Sequence, residues 1–521
     1  MSNPKWRTLL AASVIFANPA TLQAAPPSDH TPAYRPISFA EFQRMVWAGR
    51  EIRGRLVPAK YIVYVLEHAD ENLLERSPNA RLRLTSSKVT GGTIQPEKPT
   101  REIEDKPAVY FALPIEISDT DFDAKLYLDR VVVEKPITLD NVDFRQSVSF
   151  QGAAFREQVG LTRTRFRGVT NFSYVFLEET GLSFIDCEFD FQANFANLTI
   201  RSGSALYIGG DHVAVPLDFS GSQISGTLTL EGLERTLRVD GAVYLNGVNN
   251  KSGVPVGTLS VKDILIHDNV YMDRSRWAQL DLAGSEGGRH RPIRFLGFYD
   301  LREGLFDTVD LSGAEFDGGG DFSGSEFRTT ISFERTTLRQ PVRMTWGQLG
   351  GKLPVPPPAN TSQGRAKREL ILASYQELER NFEKLDDVAS LNKCHYDRRW
   401  KLEGINIPWL ISGYWVVWWR PLPWVLGSLL AFYCINRWKY RQWFGLKKSA
   451  AGGSFIPEPW ALTIQATFRF VLPKEYWGTA NGQRLYLLES LWLKIILGVF
   501  IFTLKNTSPL LKELLPYLLP K

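Results

Sequence analysis

Large apolar residues recur at every fifth or sixth position in two stretches of this 521-residue chain, residues 144–172 and residues 311–338. The large residues are Phe144, Phe150, Phe155, Leu161, Phe166 and Phe172, and then Leu311, Phe316, Phe322, Phe327, Phe333 and Leu338. Short similar phrases mark the same period, such as SFQGAAF at 149–155 and DLSGAEF at 310–316. Because internal repetition is the signature of repeat architectures, this spacing constrains the fold more than composition does.

The eleven-residue period has more than one structural interpretation. It equals three turns of an α-helix, but glycine inside each phrase and frequent Phe, Thr and Ser disfavour helix interiors. Strict alternation of apolar and polar residues is absent, which disfavours ordinary hairpins. The remaining solution is a solenoid that bends every five or six residues, with large side chains stacked along its axis. Burial of one Phe contributes roughly 1.5–3 kcal/mol, so a dozen such positions can stabilise a rod.

These phrases resemble the Phe-rich variety of the pentapeptide-repeat family. The resemblance covers residues 111–345, of which residues 200–300 keep only a loose rhythm. It implies a mainly β fold, a right-handed quadrilateral β-helix, here followed by an α-helical C-terminal region. The repeat is specific for this fold and carries almost no information about function.

Residues 36–110 are interpreted as an N-terminal cap and strand region, because an uncovered solenoid end is a bare sheet edge. Ser38 is placed to cap a helix that runs to Trp47, with apolar residues at helical spacing. The β-branched and aromatic stretch YIVYVL at 61–66 predicts a strand. The charged, Gly- and Thr-rich stretch 67–106 predicts a loop.

A proline-rich linker is expected at 346–364, where PVPPP follows the repeats. A helical hairpin is expected at 365–402, since Ile371, Tyr375 and Leu378 recur at helical spacing. The apolar seam of the first helix has two interpretations, packing on the end of the rod or contact between copies of the chain. Its short length favours the first.

Residues 405–521 predict a membrane region with two transmembrane helices, at about 421–436 and 485–504. Tryptophans crowd the approach to the first span, where they prefer the boundary between hydrocarbon and headgroups. Its uncharged part is short for a bilayer, and Arg420 can reach outward to extend it. The second span contains Glu489 and Lys494, and a charge inside a membrane is costly and indicates function. Alternatively, both side chains snorkel or pair with the first helix.

The targeting signals point to export. Residues 1–25 combine a basic start, a short apolar run and a possible cleavage site, which is the pattern of a signal peptide. Basic residues between the two spans, among them Arg437 and Lys448, place that loop in the cytoplasm. Together these signals predict a bacterial inner-membrane protein with a periplasmic repeat rod. Arg398 and Arg399, on the other flank of the first span, argue against this orientation.

The C-terminal arrangement resembles pentapeptide-repeat proteins that end in a two-helix, potassium-channel-like module. The carrying residues are 375–382, 396–399, Gly413-Tyr414, Arg420-Pro421, Leu488-Glu489 and Gly498. In that family a pore helix and an ion filter lie between the two helices, and residues 460–468 correspond to the pore helix. The following RFVLPK contains no glycine-rich run whose carbonyls could coordinate an ion. We therefore expect the two-helix architecture of that module but not its selective conduction of ions.

Residues that carry chemistry are sparse. The three cysteines and six histidines show no metal-ligand spacing, and neither a phosphate-binding glycine loop nor a nucleophile elbow appears. We therefore expect no enzyme activity, no catalytic residue, no metal and no cofactor. A net charge of only +5 argues against a nucleic-acid partner.

The predicted function is a membrane-anchored, non-catalytic scaffold or protein-interaction module. Its partners would be the lipid bilayer and an unidentified protein, and a homo-oligomer is left open. The alternative is an ion-channel-like or gating membrane protein in which the repeat rod acts as a sensor.

Overall fold

The computed structural model consists of a β-solenoid followed by helices. The described residues are 34–69, 71–96, 101–103, 106–233, 235–249, 251, 254–284, 292–403, 421–446, 458–468 and 476–507. The predicted signal peptide 1–25 and Arg420 lie outside them.

The repeat region forms a parallel β-solenoid of about 12 turns, which confirms the mainly β repeat fold. Strands pair in parallel with the equivalent strands of neighbouring turns, except Arg101–Ile103, which pairs antiparallel with Lys106–Phe111. Ile137 pairs with Val159 and Phe144 pairs with Phe166, both 22 positions later in the chain. One turn of this part of the solenoid therefore takes two of the eleven-residue units seen in the sequence.

The solenoid strands belong to four sheets. The 17 strands of the largest are Arg35–Pro36, Ile52–Arg53, Arg55–Pro58, Leu82–Thr85, Lys88–Thr90, Ile115–Phe122, Ile137–Phe144, Val159–Thr162, Arg165–Phe166, Gly181–Ile185, Glu188–Phe189, Ala205–Gly209, Thr227–Glu231, Thr258–Lys262, Arg276–Asp281, Leu305–Asp310 and Glu326–Ser332. The 11 strands of the second are Thr93–Ile94, Lys125–Tyr127, Val148–Ser149, Thr170–Asn171, Ala193–Asn194, Leu217–Asp218, Val243–Tyr244, Val270–Tyr271, Tyr299–Asp300, Gly320–Asp321 and Val342–Arg343.

The two smaller sheets complete the solenoid. The 7 strands of the third are Arg101–Ile103, Lys106–Phe111, Val131–Val133, Ala154–Phe155, Phe176–Leu177, Thr199–Ile200 and Gln223–Ile224. The 6 strands of the fourth are His212–Val213, Leu237–Val239, Ile264–Ile266, Arg294–Phe295, Glu315–Phe316 and Thr337–Leu338.

Helices flank the solenoid on both sides in the chain. The described helices are α1 Phe39–Trp47, α2 Ala59–His68, α3 Glu71–Arg76, α4 Trp346–Leu349, α5 Ser362–Lys384, α6 Val388–Glu403, α7 Pro421–Trp443, α8 Glu458–Phe468 and α9 Ala480–Thr507. The first begins after Ser38, whose Oγ accepts a hydrogen bond from the backbone N–H of Glu41 at 3.3 Å.

Aromatic rings of successive turns stack inside the rod. The ring centroids of Phe144 and Phe166 are 5.4 Å apart, and those of Phe166 and Phe189 are 5.1 Å apart, with ring planes within 10°. A second column pairs Phe150 with Phe172 at 5.0 Å. All twelve large residues picked from the sequence spacing are buried. Such ring pairs add about 0.5–1.5 kcal/mol each to the burial of their apolar area.

The glycine of each repeated phrase lies at a corner with left-handed backbone. Gly152, Gly221, Gly313 and Gly324 have φ angles of +69°, +69°, +75° and +74°. Any residue with a Cβ is strained in this region, whereas glycine adopts it readily. Each of these repeated phrases therefore contains both the glycine that bends the chain and a large residue that fills the core.

The strand predicted for 61–66 is wrong, because this stretch belongs to helix α2. Its buried residues Ile62, Val65 and Leu66 share one helix face and pack into the solenoid core. Tertiary packing of that face overrides the strand preference of β-branched residues.

The loop predicted for 67–106 is also wrong for most of its length. Four short strands within it belong to the solenoid sheets, and Leu82 pairs with Ile115. The loosely repetitive residues 200–300 continue the same sheets, as shown by the pairing of Leu228 with Leu259. The turn between these two residues is longer than 22 residues, which accounts for the lost rhythm in the sequence.

Side chains of α5 and α6 cover the last turn of the solenoid. Asn381 accepts a hydrogen bond from the Val342 backbone N–H at 2.8 Å and donates to its carbonyl at 2.9 Å, so it replaces a neighbouring strand. The backbone N–H of Leu338 donates to Glu377, and that of Trp346 donates to Ser390. These bonds satisfy edge groups that a further turn would otherwise pair.

Replacing Asn381 with leucine should destabilise the end of the rod. Each buried Val342 group left unpaired costs about 1–3 kcal/mol, so the midpoint of urea unfolding should fall. Glu383→Leu, at an exposed site of the same helix, should leave that midpoint unchanged. Equal midpoints for the two variants would contradict the capping role of Asn381.

The apolar seam of α5 faces the rod. Ile371, Tyr375, Leu378 and Phe382 are buried within the same core as the solenoid residues. The structure therefore assigns this seam to packing on the end of the rod. The predicted linker 346–364 contains the short helix α4, whose Trp346 and Leu349 are also part of that core.

Helices α7, α8 and α9 pack against one another around a small separate core. This core contains Leu462, Ala466, Tyr486 and Leu493. An antiparallel pair of strands, Phe444–Leu446 and Tyr476–Gly478, lies at its side. The bundle brings α7 and α9, the two predicted membrane helices, into direct contact.

Only one of the two predicted transmembrane helices meets the length and hydropathy of a span within the described residues. It is Ala480–Thr503, part of α9, and an 18-residue window of this helix has a mean hydropathy of 2.0. Helix α7 is longer than predicted, but its last turns carry Arg437 and Lys439, which lower its apolar character. The expectation of two spans is therefore supported for the second helix alone.

Candidate functional site

The C-terminal helices bury a polar cluster that includes one of the residues singled out from the sequence. Glu489 of α9 is fully buried, and so are Asn436 of α7 and Thr463 of α8. The side-chain amide nitrogen of Asn436 donates to Glu489 Oε2 and to Thr463 Oγ1, both at 3.0 Å. The amide of Asn436 thus links side chains of all three helices. We call Glu489, Asn436 and Thr463 the polar cluster.

Lys494 is half-buried, and its Nζ donates to Ser490 Oγ at 3.1 Å, within its own helix. The predicted alternative that Glu489 pairs with the first helix is confirmed by its bond to Asn436. Arg420, the third membrane candidate, lies outside the described residues.

Sequence reasoning missed Asn436 and Thr463. Asn436 ends the apolar run of α7, immediately before the basic residue Arg437, so it looks like an ordinary boundary residue. Thr463 lies in a stretch that resembled a pore helix. A polar residue within each of three apolar helices was the available signal, because such residues are expensive unless they are paired.

Helix α9 exposes a wide apolar face. The large exposed side chains are Leu487, Leu488, Leu491, Trp492, Ile495, Ile501 and Phe502. Within its candidate span only 28% of residues are buried in the protein. A soluble protein rarely leaves so continuous an apolar surface without a partner or a membrane.

Paired charges hold together the two helices of the hairpin, α5 and α6. Arg398 lies 2.9 Å and His395 lies 3.3 Å from Glu379 Oε1. Burial disfavours the ionised Glu379, but the hydrogen bond from His395 and the charge of Arg398 outweigh it, so the pKa of Glu379 lies below its ordinary value. Tyr375 donates to Asp397 at 2.6 Å, and α6 in turn contacts α9. The hairpin therefore contacts both the end of the rod and α9.

Ion pairs between successive turns cover the surface of the rod. Arg167 binds Asp143 at 2.8 Å and Arg163 binds Asp140 at 2.6 Å, each from one turn to the next. Exposed pairs of this kind contribute about 0.2–1 kcal/mol each, so they matter little for stability. Their effect is to neutralise the surface locally. Among them the apolar side chain of Phe191 is 57% exposed.

The described part of the chain contains no group of three or more His, Cys, Asp or Glu side chains that could hold a metal ion. Cys187 and Cys394 are buried, and burial raises the pKa of the Cys187 thiol to about 12. A thiol with so high a pKa is a poor nucleophile at neutral pH.

No family model, no curated protein and no solved structure matches this chain. The function is therefore inferred from the structure of the rod, its cap and the C-terminal bundle.

Proposed function

We propose that the chain is a membrane-anchored, non-catalytic scaffold that presents its solenoid to a protein partner. The observation that carries this proposal is the exposed apolar face of α9, on a helix long enough to cross a bilayer. We infer a protein partner because a repeat rod offers a long, regular surface for binding.

The finer architecture is part of the proposal. In it the solenoid is a right-handed quadrilateral β-helix of the pentapeptide-repeat type, and α7 crosses the bilayer beside α9. Helix α7 leaves Leu422, Leu426 and Leu430 exposed, which supports contact with lipid. Its basic last turns would lie at the membrane surface, where Arg437 and Lys439 can reach the headgroups.

The locally neutral surface of the rod supports a protein partner over a nucleic acid. A nucleic-acid partner requires unpaired cationic side chains to displace counterions from phosphates. Here Arg145, Arg163 and Arg167 already lie within 4.0 Å of carboxylates of neighbouring turns. Exposed Tyr174 and Phe191 are the residue types that protein interfaces favour.

The proposed location is the bacterial inner membrane, with the rod in the periplasm and the loop between α7 and α8 in the cytoplasm. The N-terminal signal pattern and the basic residues of the loop support this orientation. In this orientation the contact of the hairpin with both the rod and α9 would place the end of the solenoid close to the outer face of that membrane.

Labelling with a membrane-impermeant maleimide tests the anchor and its orientation. Because Cys434 is exposed, single cysteines should be placed on a Cys434→Ala background. Gln340→Cys, on the rod, should react in intact spheroplasts, and Lys448→Cys, in the loop, should react only after lysis. Reaction of the loop cysteine alone before lysis, or recovery of the chain in the soluble fraction, would contradict the proposal.

A further inference from the structure

The polar cluster lacks hydrogen-bond donors. Both hydrogens of the Asn436 amide are used, one by Glu489 Oε2 and one by Thr463 Oγ1. The single hydroxyl hydrogen of Thr463 is shared between two acceptors, the carbonyl of Pro459 at 3.2 Å and the Glu489 carboxylate. Glu489 Oε1 and Asn436 Oδ1 are buried with no hydrogen-bond partner among the described residues.

The core beside the cluster contains Leu462, Ala466, Tyr486 and Leu493. Apart from the Tyr486 hydroxyl, these side chains are apolar. A buried carboxylate with so few hydrogen-bond donors is strongly unfavourable in its charged form, because burial removes the water that solvates its charge. Either a bound proton or a bound cation relieves this cost.

We propose that Glu489, Asn436 and Thr463 form a binding site for Na⁺. Both carboxylate oxygens of Glu489, the amide oxygen of Asn436 and the hydroxyl oxygen of Thr463 are the hard oxygen ligands that such a cation prefers. The single carboxylate balances a single positive charge, whereas a divalent ion would leave net charge in an apolar core.

The Asn436 side chain can act either as a hydrogen-bond donor or as an ion ligand. Rotation of its side-chain amide by 180° exchanges the positions of nitrogen and oxygen. Oδ1 then takes the place from which the nitrogen now reaches Glu489 and Thr463 at 3.0 Å, and it faces a bound cation. The site thus has an ion-free form held by the amide hydrogens and an ion-bound form held by the amide oxygen.

Equilibrium binding of radioactive Na⁺ to the full-length protein in detergent tests the proposal. The wild type should bind one Na⁺ per chain in a saturable manner. Glu489→Gln, which removes the charge and keeps the shape, should weaken binding at least tenfold, and Asn436→Leu should do likewise. Thr463→Val should weaken it less, because it removes one neutral ligand. Thr503→Val is the matched control, since Thr503 is equally buried in α9 but donates to Val499.

A protection experiment gives a second readout. A hydrophobic carbodiimide should modify Glu489, and Na⁺ should slow that modification. At about ten times the dissociation constant only about one site in eleven is free, so labelling should slow about elevenfold, whereas choline should have no effect. Absence of saturable Na⁺ binding in the folded wild type, or unchanged binding in Glu489→Gln, would overturn the proposal. Both measurements are made without a membrane, so their outcome is independent of the proposed anchor.

Discussion

Replacing Phe166 with alanine should destabilise the solenoid by about 3–5 kcal/mol, because the cavity would lie in the middle of a continuous stack. Phe166 is fully buried between the rings of Phe144 and Phe189. In a rod whose turns contact only their neighbours, loss of one ring weakens two interfaces at once. The measurement is the midpoint of urea unfolding followed by the β-sheet signal in circular dichroism.

The matched control is Val169→Ala in the same turn. Val169 is 56% exposed, and its truncation should change the free energy of unfolding by no more than about 0.5 kcal/mol. Similar midpoints for the two variants would show that Phe166 does not occupy a packed core, and the stacked solenoid would be contradicted.

Two arginines on the exposed face of α9 should release most of the protein from the membrane. Leu491 and Ile495 are 47% and 51% exposed and lie one helical turn apart near the middle of the candidate span. An arginine at the centre of a membrane helix costs about 2.5–3.5 kcal/mol, so Leu491→Arg with Ile495→Arg should greatly weaken insertion. The measurement is the fraction of chain that resists carbonate extraction.

Alanines at the same two positions provide the control. Leu491→Ala with Ile495→Ala removes bulk but adds no charge, so this variant should stay in the carbonate-resistant fraction. Both residues face away from the bundle core, and the solenoid signal in circular dichroism should be the same for the two double variants. A fully membrane-bound arginine variant would mean that α9 does not face lipid.

The repeat could be predicted because large apolar residues fill the core at regular spacing in successive turns. Phe144, Phe150 and Phe155 each fill the axis of the coil, and Gly152 makes the bend between two of them. Spacing alone therefore indicated a solenoid and its core. The spacing in the sequence is eleven and the turn of the structure is 22 residues, since two units are needed to close one turn.

The N-terminal region was misread because its residues satisfy two patterns. Residues 61–66 have the composition of a strand, yet Ile62, Val65 and Leu66 also recur at helical spacing, and packing on the first turns of the solenoid selects the helix. The strands within 67–106 are too short to show a pattern of their own. They form because they can pair with neighbouring strands of the solenoid, as Leu82 does with Ile115.

The polar cluster could not be predicted from the sequence because its three residues are far apart in the chain. Glu489 was singled out as a charge within an apolar helix, which is a local signal. Its partner Asn436 is 53 positions away in the chain, and Thr463 lies between the two, 27 positions from Asn436. Only the packing of α7, α8 and α9 brings the three side chains together.

Distances between spin labels test the stacked solenoid most directly. Gln146, Asp268 and Gln340 are exposed and occupy equivalent positions beside the second sheet, five and eight strand spacings apart counted from Gln146. Neighbouring strands lie about 4.8 Å apart, so labels at 146 and 268 should be about 24 Å apart and labels at 146 and 340 about 38 Å apart. On the Cys434→Ala background the account predicts two narrow distributions that grow in proportion to the number of turns. Broad distributions, or a separation that does not grow with the number of turns, would contradict it.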